Sequence, residues 1–301
     1  SFTLETEQLQ KQEEGRVFPQ NLVLTPTTIA NLEKILFPLL EGRNLLLVGD
    51  AGIGKNALVY YINKIRNLPT IRFSFNQDTL PEDLAGSFRI LPDGFHWNDG
   101  PLTEALRLGY TFVADEMNLA SPEILKRFIS VLERRSLTLL EKDGSELAGS
   151  PRFNFVATQN PARGFEGRKI LPESISRFFT IVQLDPYPVK EEIQIMCGLF
   201  PAAPADLVEK VCHLQRGLEY SIWNNELSRN DLEHYHFNIR SGERFWARVL
   251  RPGGKPNVQD AVFLEEVFRS YVNVFRLPED REKALSLVAG ALQLTIPDLT
   301  A

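Results

Sequence analysis

An apolar strand followed at once by a glycine-rich turn and a lysine limits the folds open to this 301-residue chain more than any other segment. It reads Asn44-Leu-Leu-Leu-Val-Gly-Asp-Ala-Gly-Ile-Gly-Lys-Asn56 and contains the pattern Gly49-x4-Gly54-Lys55. Glycines let successive backbone N–H groups curl around phosphate oxygens, and the lysine ammonium reaches the outer oxygens. A helix starting near Ala57 would add its positive end. We therefore predict a polyphosphate-binding loop whose contact residues are Gly49, Asp50, Ala51, Gly52, Ile53, Gly54, Lys55, Asn56 and Ala57.

Asn56 occupies the position after the lysine, where loops of this kind normally carry a Ser or Thr hydroxyl that binds Mg²⁺. An amide oxygen can also ligate a hard cation, but it lies one atom further from the backbone. Because Mg²⁺ requires near-octahedral geometry at about 2.0–2.1 Å, we expect coordination through water or at a shifted position. The sequence thus predicts triphosphate binding and puts fast hydrolysis in doubt.

The composition is that of an ordinary globular protein with one large or two modest domains. Hydrophobic residues make up 43% of the chain and its net charge is −6, so no basic field favours nucleic acid as a partner. Two cysteines, and no apolar run near the roughly 20 residues of a bilayer span, favour a soluble intracellular protein, with the cytoplasm as the expected compartment. The chain has no initiating Met, which is consistent with a fragment of a longer protein.

Five short apolar runs predict a parallel α/β sheet, because the segments between them are long enough to carry crossover helices. The runs are residues 45–48, 70–75, 111–115, 153–158 and 178–184. Ahead of them, Thr25-Pro26 predicts the start of a helix with Ile29, Leu32, Ile35 and Leu36 on its apolar face. After Pro186-Tyr-Pro188 the patterns are helical, over 189–199, 205–218, 243–250, 258–275 and 278–292. We expect a polar segment 1–20, an α/β subdomain 21–185 and a helical subdomain 186–301.

Two hairpins are predicted to interrupt the α/β subdomain. In the first, residues 88–90 and 95–97 flank Leu91-Pro-Asp-Gly94, a turn sequence with Pro and Gly where turns use them. In the second, residues 137–140 and 146–147 flank Lys142-Asp-Gly-Ser145. A solvent-facing hairpin more often has no specific function. The position of these two between the nucleotide motifs, however, favours a binding role.

Acidic and amide side chains follow two other predicted strands. Asp115 and Glu116 end the strand 111–115, where Asp115 would hold the Mg²⁺ shell and Glu116 would polarise the attacking water. Such a pair is more often a turn or a helix cap, but its place 60 residues after Lys55 favours a role in catalysis. Asn160 follows the predicted strand 153–158, and its amide could orient the attacking water or sense loss of the γ-phosphate.

Two arginines could complete such a site. Arg177 stands immediately before the fifth strand; it is either a solvated strand end or, in a ring of subunits, an arginine finger for the neighbouring γ-phosphate. Arg240 could close the helical subdomain over the nucleotide, or be one more surface arginine.

The ordered set of motifs resembles the AAA+ ATPases of the MoxR/midasin, or dynein-related, branch. The resemblance covers nearly the whole chain from about residue 20. It rests on 49–56, Asp115-Glu-Met-Asn-Leu-Ala120, Ala157-Thr-Gln-Asn-Pro161, Gly167-Arg-Lys-Ile-Leu-Pro172, Ser176-Arg-Phe178 and Phe237-Asn-Ile-Arg240. It implies the P-loop AAA+ fold: a five-stranded parallel sheet with helices on both faces, followed by a smaller all-α lid.

The resemblance also implies roles and partners. Residues 49–56 would be the Walker A loop, Asp115 and Glu116 Walker B, Asn160 sensor 1, Arg177 the finger and Arg240 sensor 2. ATP would bind with Mg²⁺, held by Asn56 and Asp115. Six modules, as separate subunits or in tandem, would form a ring that remodels a client protein complex, in many members together with a von Willebrand factor A domain.

Two other functions remain open at this stage. The first is a nucleotide-binding structural module that scarcely hydrolyses ATP, because Asn56 replaces the usual hydroxyl. The second is a nucleic-acid translocase of similar fold, against which the acidic net charge argues.

Three further side-chain groups favour structural interpretations. The Cys and His residues do not have the spacing of a compact zinc site; they are Cys197, Cys212, His213, His234 and His236. An aromatic series is predicted to pack within the lid rather than to stack on bases; it comprises Tyr220, Trp223, Tyr235, Phe237, Phe245 and Trp246. The pairs Lys126-Arg127 and Arg134-Arg135 are predicted to form a solvated or subunit-facing helix surface.

Overall fold

The computed structural model describes residues 22–160, 171–228, 235–250 and 256–294. Three predictions lie wholly or partly outside these ranges: the polar segment 1–20, the end of the motif 157–161 with most of 167–172, and His234. Within the ranges described, no helix is long and apolar enough to cross a membrane.

Nine strands and eleven helices make up the described fold. The strands are β1 (Leu45–Val48), β2 (Thr70–Ser74), β3 (Gly86–Leu91), β4 (Gly94–Asp99), β5 (Thr111–Asp115), β6 (Ser136–Leu139), β7 (Ser145–Ala148), β8 (Asn154–Gln159) and β9 (Thr180–Gln183). The helices are α1 (Pro26–Leu40), α2 (Lys55–Ile65), α3 (Pro81–Ala85), α4 (Pro101–Leu108), α5 (Pro122–Arg134), α6 (Glu173–Ser176), α7 (Val189–Leu199), α8 (Ala205–Trp223), α9 (Ile239–Val249), α10 (Ala261–Val267) and α11 (Pro278–Leu292).

Five parallel strands form the central sheet in the order β2-β5-β8-β1-β9. The predicted strands match these five to within two residues at any end. β1 lies between β8 and β9, with Leu45 opposite Val156 on one side and opposite Thr180 on the other. The predicted parallel α/β fold is confirmed, and the carboxyl ends of β1, β5 and β8 meet at one edge of the sheet.

Apolar side chains alternate between the two faces of the sheet, as extended strands require. Leu46, Phe112 and Phe155 are buried on one face with helices α4 and α5. Leu45 and Val156 are buried on the other face, in a core that continues through α1 and α2 into the C-terminal helices. The sheet is therefore covered on both faces, which is typical of parallel sheets.

Helix α1 starts as predicted, and three of its four predicted core residues, Leu32, Ile35 and Leu36, pack in or against the core. The Thr25 hydroxyl caps it by accepting a hydrogen bond from the Thr28 N–H at 3.2 Å. The placement of Ile29 on the buried face is wrong, since Ile29 is 46% exposed. Asn31 faces inward instead, because its side chain exchanges two hydrogen bonds with the backbone of Asp185, at 3.0 and 2.9 Å.

The two hairpins are β3–β4 and β6–β7, each an antiparallel pair outside the main sheet. In the first, Phe88 is opposite Trp97 and Ile90 is opposite Phe95, so these four side chains share one face. Three of them are exposed to solvent, Phe95 by 72% and Ile90 by 78%.

The described elements after β9 are helices α7 to α11, with a five-residue π-helical turn, Phe268–Val272, following α10. The prediction of one regular helix over 258–275 is therefore wrong, because a π-helical turn follows the α-helix there. Of the aromatic series, Phe245 and Trp246 are fully buried, but Tyr220 and Trp223 are 67% and 76% exposed. The packing prediction is wrong for that pair, since the last turn of α8 turns them away from the core.

The basic pairs of α5 are only partly a solvated surface. Arg127 forms a salt bridge with Glu141. Arg135 takes a left-handed conformation at the end of α5 and donates to the carbonyls of Gly42 and Pro151, at 2.7 and 3.1 Å. Arg127 and Arg135 therefore connect α5 to neighbouring segments of the chain.

Candidate functional site

The predicted phosphate-binding loop connects β1 to α2 at the carboxyl edge of the sheet. Gly52 and Gly54 have φ angles of 86° and 83°, in the left-handed region where glycine is favoured. Gly49 lacks room for a side chain, since a Cβ there would lie 3.3 Å from both Ile53 and Leu184. Helix α2 begins at Lys55, two residues earlier than predicted, so its N-terminal N–H groups face the loop.

Lys55 is buried within this loop. Its ammonium donates to the carbonyls of Gly49 and Asp50, at 2.7 and 3.1 Å, and to Asn160 Oδ1 at 2.7 Å. Burial lowers the pKa of Lys55 from 10.5 to about 8, although the carboxylates of Asp115 and Asp50 partly offset this. A phosphate anion would restore the favourable environment that the buried cation lacks.

We predict that the affinity for inorganic triphosphate falls about tenfold per pH unit between pH 8 and roughly pH 10. Below pH 8 Lys55 is already charged in the free protein. Above pH 8 the anion must recruit a proton as it binds, because the bound ammonium has the higher pKa. Calorimetry at pH 8.5 in two buffers of different ionisation enthalpy measures this proton uptake directly. Equal heats in both buffers would contradict the prediction.

Asp115 ends β5 and is 8% exposed. Its Oδ2 accepts from Arg72 Nη2 and Nε, at 2.5 and 3.0 Å, and its Oδ1 accepts from the Thr158 hydroxyl at 2.5 Å. Burial alone would raise the pKa of Asp115, but the hydrogen bonds from Thr158 and Arg72 outweigh it and hold the pKa below its usual value. Asp115 is therefore ionised and fixed in position.

Arg72 on β2 was not singled out from the sequence, and it neutralises Asp115. We predict that Arg72→Leu lowers the free energy of unfolding by about 1–2 kcal/mol at pH 7, since a buried carboxylate loses a charged partner whose side chain is 44% exposed. The loss should shrink as the pH falls and Asp115 becomes protonated. A carboxyl whose pKa is depressed in the folded protein contributes stability that is complete above the pKa of the unfolded chain and is lost as the pH falls through the folded-state pKa. Urea unfolding measures the effect. Arg89→Leu, on exposed β3, is the matched control, and an equal loss there would contradict the assignment.

Asn56 lies in the first turn of α2, and its side-chain amide is close enough to Asp115 to help hold the pKa of that carboxyl below its usual value. Its Oδ1 is buried and, among the described residues, has no hydrogen-bond partner. Carboxylate and amide oxygens are ligands that a hard cation such as Mg²⁺ accepts. The chemistry of Asn56 and Asp115 therefore fits a magnesium ion.

Glu116 follows β5 in a left-handed conformation, with φ 55° and ψ 42°, that is costly for a residue with a side chain. Its N–H donates to the Thr158 hydroxyl at 3.2 Å, and its Oε1 accepts from Asn160 Nδ2 at 3.3 Å. Because Asn160 also accepts from Lys55, one amide links the phosphate-binding lysine to this carboxylate. Backbone strain of this kind is commonly retained at functional sites.

The helical region contacts the loop through Asn238, which precedes α9. Asn238 Nδ2 donates to the Ala51 carbonyl at 3.0 Å, and its backbone and side chain form a capping box with Ser241. A Cβ on Gly52 would lie 2.7 Å from the Asn238 side chain. Arg240, in the first turn of α9, is close enough for its charge to oppose that of Lys55. The role expected of Arg240, closing the helical subdomain over the nucleotide, stays a prediction.

Arg177 does not join this cluster. It lines a cavity of about 350 Å³ with Asn44 and Thr180, residues that precede β1 and begin β9. The loop follows the other end of β1, so Arg177 lies at the opposite edge of the sheet. Its guanidinium rests over the Phe178 ring, 4.7 Å from the centroid. The structure therefore brings together Lys55, Asp115, Glu116, Asn160 and Arg240, and separates Arg177 from them.

Sequence reasoning missed Arg72, Thr158 and Asn238. Asn238 and Thr158 were within quoted motifs but had no assigned role, and the position of Thr158 near the end of β8, two residues before Asn160, was an available signal. Arg72 gave none, because the pairing of β2 with β5 that places it beside Asp115 is a property of strand order. Within the described ranges, no group of three or more His, Cys, Asp or Glu side chains could hold a metal ion.

Comparison with known proteins gives a consistent match. Residues 44–178 match the family model described as AAA domain (dynein-related subfamily). The chain is 30% identical over 229 residues to denitrification regulatory protein NirQ of Pseudomonas aeruginosa, covering 75% of this chain and 83% of that protein. It is 29% identical over 267 residues to midasin of Dictyostelium discoideum, covering 87% of this chain.

The coverage of these relatives differs. The chain spans 4% of the length of the midasins of Dictyostelium discoideum and Giardia intestinalis. Among solved structures, NtrX from Brucella abortus superimposes with a TM-score of 0.58 at 14% identity, over 99% of this chain and 72% of that one. That similarity concerns the fold alone.

Proposed function

Because the chain belongs to the dynein-related subfamily of AAA domains, among the MoxR-type AAA+ ATPases, we propose that it binds ATP at the loop 49–56 and hydrolyses it. The observation that carries this proposal is the connection from Lys55 through Asn160 to Glu116. It joins a cation suited to the β- and γ-phosphates to a carboxylate suited to an attacking water, through one amide that contacts both.

The proposed division of labour follows from these contacts. Lys55 and the N–H groups of the loop bind the phosphates. Glu116 accepts a proton from the attacking water, and Asn160 holds that carboxylate at a fixed distance from Lys55. Arg240 approaches the terminal phosphate from the lid side. Asn56 and Asp115 would hold Mg²⁺, which when bound neutralises phosphate charge.

Calorimetric titration of the whole chain with ATP and magnesium tests the binding step. We expect 1:1 uptake that Lys55→Ala abolishes. Lys64→Ala, on the same helix, is the matched control and should bind as the wild type does. Absence of uptake by the wild-type protein would overturn the proposed function.

We further propose that the chain works as one module of a ring, as six subunits or tandem modules, and that nucleotide turnover remodels a client protein complex. The separation of Arg177 from the loop of its own chain supports this arrangement, because an arginine finger acts on the nucleotide of a neighbouring module. The division into an α/β subdomain 21–185 and a lid 186–301 is part of the same proposal. A von Willebrand factor A domain protein is a candidate partner by family resemblance.

A second candidate function is a structural module that holds ATP with little hydrolysis, which the amide at Asn56 favours. We predict that Asn56→Thr raises the hydrolysis rate at least tenfold if the amide holds the ion in a slow arrangement. Phosphate release at saturating ATP and magnesium measures the change, and Asn98→Thr, at an exposed position on β4, controls for the substitution itself. An unchanged or lower rate would favour the hydrolysing module.

A further inference from the structure

A second cavity, of about 360 Å³, lies in the helical region. Helix α9 contributes Ser241, Arg244 and Arg248 to its lining, and the π-helical turn contributes Arg269 and Ser270. We call it the lid cavity. None of the described residues that contact the loop 49–56 lines it, but Ser241 does, and Ser241 also forms the capping box with Asn238.

Positive charge dominates the lid cavity. Arg248 donates to Glu266 Oε1 at 2.7 Å, and Arg269 lies 4.0 Å from the other oxygen of the same carboxylate. Arg244 is exposed and has no ion pair within 4.0 Å among the described residues, although the charge of Glu243 on the same helix reaches it. Among the residues that the structure describes, Glu266 is the one carboxylate within 4.0 Å of any of these three guanidiniums, in a chain whose net charge is −6.

Glu266 organises this cluster. It is 7% exposed and also accepts from the Ser270 hydroxyl at 2.7 Å. A buried carboxylate with these partners fixes the Arg248 guanidinium. The guanidiniums of Arg244 and Arg269, whose side chain is 65% exposed, remain available to a ligand.

The backbone beside the cavity is unusual. The turn Phe268–Val272 is π-helical, and the Asn273 N–H bonds to the Phe268 carbonyl at 2.7 Å. Successive side chains of an α-helix point about 100° apart, so three consecutive residues rarely line one cavity. Here Arg269, Ser270 and Tyr271 all do. Single π-helical turns are rare in proteins, and those that occur are often at functional sites.

We propose that the lid cavity binds a phosphate monoester, with Arg244 and Arg269 as its main ligands. Because Glu266 neutralises one of the three arginines, two positive charges remain. They match a doubly charged phosphate ligand better than a singly charged carboxylate ligand. The three terminal oxygens of such a group can accept from two guanidinium forks together. The phosphate could belong to a free small molecule or to a phosphorylated side chain of a partner protein.

The test uses the whole chain carrying Lys55→Ala, so that the loop 49–56 does not take up the probe. Three probes are titrated by calorimetry: inorganic phosphate, a short phosphoserine peptide, and the same peptide with glutamate in place of phosphoserine. The test variant adds Arg244→Ala and Arg269→Ala, both exposed residues. Arg248 is left in place because its loss would strand the buried Glu266.

We expect saturable 1:1 binding of a phosphate probe that the double substitution weakens at least tenfold and that Arg89→Ala leaves unchanged. Tighter binding of the phosphoserine peptide than of inorganic phosphate assigns the site to a partner protein, and the reverse order assigns it to a free phosphate. Undiminished binding in the double variant, equal binding of the glutamate peptide, or no saturable binding overturns the proposal. Because the loop is disabled in every sample, none of these outcomes depends on the proposed ATP site.

Discussion

Glu116→Gln is expected to lower the rate of ATP hydrolysis by about 10²–10⁴-fold while leaving ATP affinity within about twofold of wild type. Gln keeps the size of the side chain and can still accept the hydrogen bond from Asn160, so the geometry around Lys55 is preserved. What it loses is the negative charge that accepts a proton from water. Phosphate release under single-turnover conditions and calorimetry of ATP binding measure the two quantities separately.

The control for this substitution is Glu123→Gln, an exposed carboxylate in the first turn of α5. It should change neither quantity. A Glu116→Gln protein that retains more than about a tenth of the wild-type rate would remove Glu116 from the proposed role. A variant that loses ATP binding as well would indicate that the left-handed turn at residue 116 has rearranged.

Arg177→Ala is expected to lower ATP hydrolysis by about 10³-fold or more in the assembled protein, the range for an arginine finger in related triphosphatases. The reason is geometric. Arg177 is exposed at one edge of the sheet and the loop 49–56 lies at the other, so the guanidinium is available to a neighbouring module. The wild-type rate per chain should accordingly rise with protein concentration, and ATP binding should survive the substitution.

Mixing two inactive variants gives a sharper result. Arg177→Ala retains its loop and Lys55→Ala retains its arginine, so a mixed assembly contains sites with both parts. We expect activity to reappear on mixing, with Arg134→Ala, in the last turn of α5, as a control that is active alone. No recovery, together with concentration-independent activity of the wild type, would exclude a site shared between modules.

The sheet was predictable because each strand is an apolar run bounded by polar or turn-forming residues. The loop was predictable from its glycine–lysine pattern, and Asp115, Glu116 and Asn160 from their positions at the ends of predicted strands. Strand order does not follow from composition, and it is strand order that puts Arg72 beside Asp115. On α1 only the burial of Ile29 was wrongly predicted, because a polar residue, Asn31, takes an interior position where the backbone of Asp185 satisfies its side chain.

The helical region was harder to predict for a different reason. Its helices were predicted from apolar residues that recur at the α-helical spacing. That spacing does not reveal the π-helical turn within 258–275. Burial of Tyr220 and Trp223 was expected from residue type alone, and their helix ends on an exposed face instead. Tertiary packing decides such cases.

The close fit between Gly52 and Asn238 has an evolutionary consequence. A side chain at 52 would collide with Asn238 at 2.7 Å and would need a positive φ. The two positions, 186 residues apart, should therefore mutate in concert: descendants that lose the glycine ought to carry a smaller residue at 238. A side chain gained at 52 without such a change at 238 would push the helical region away from the loop 49–56.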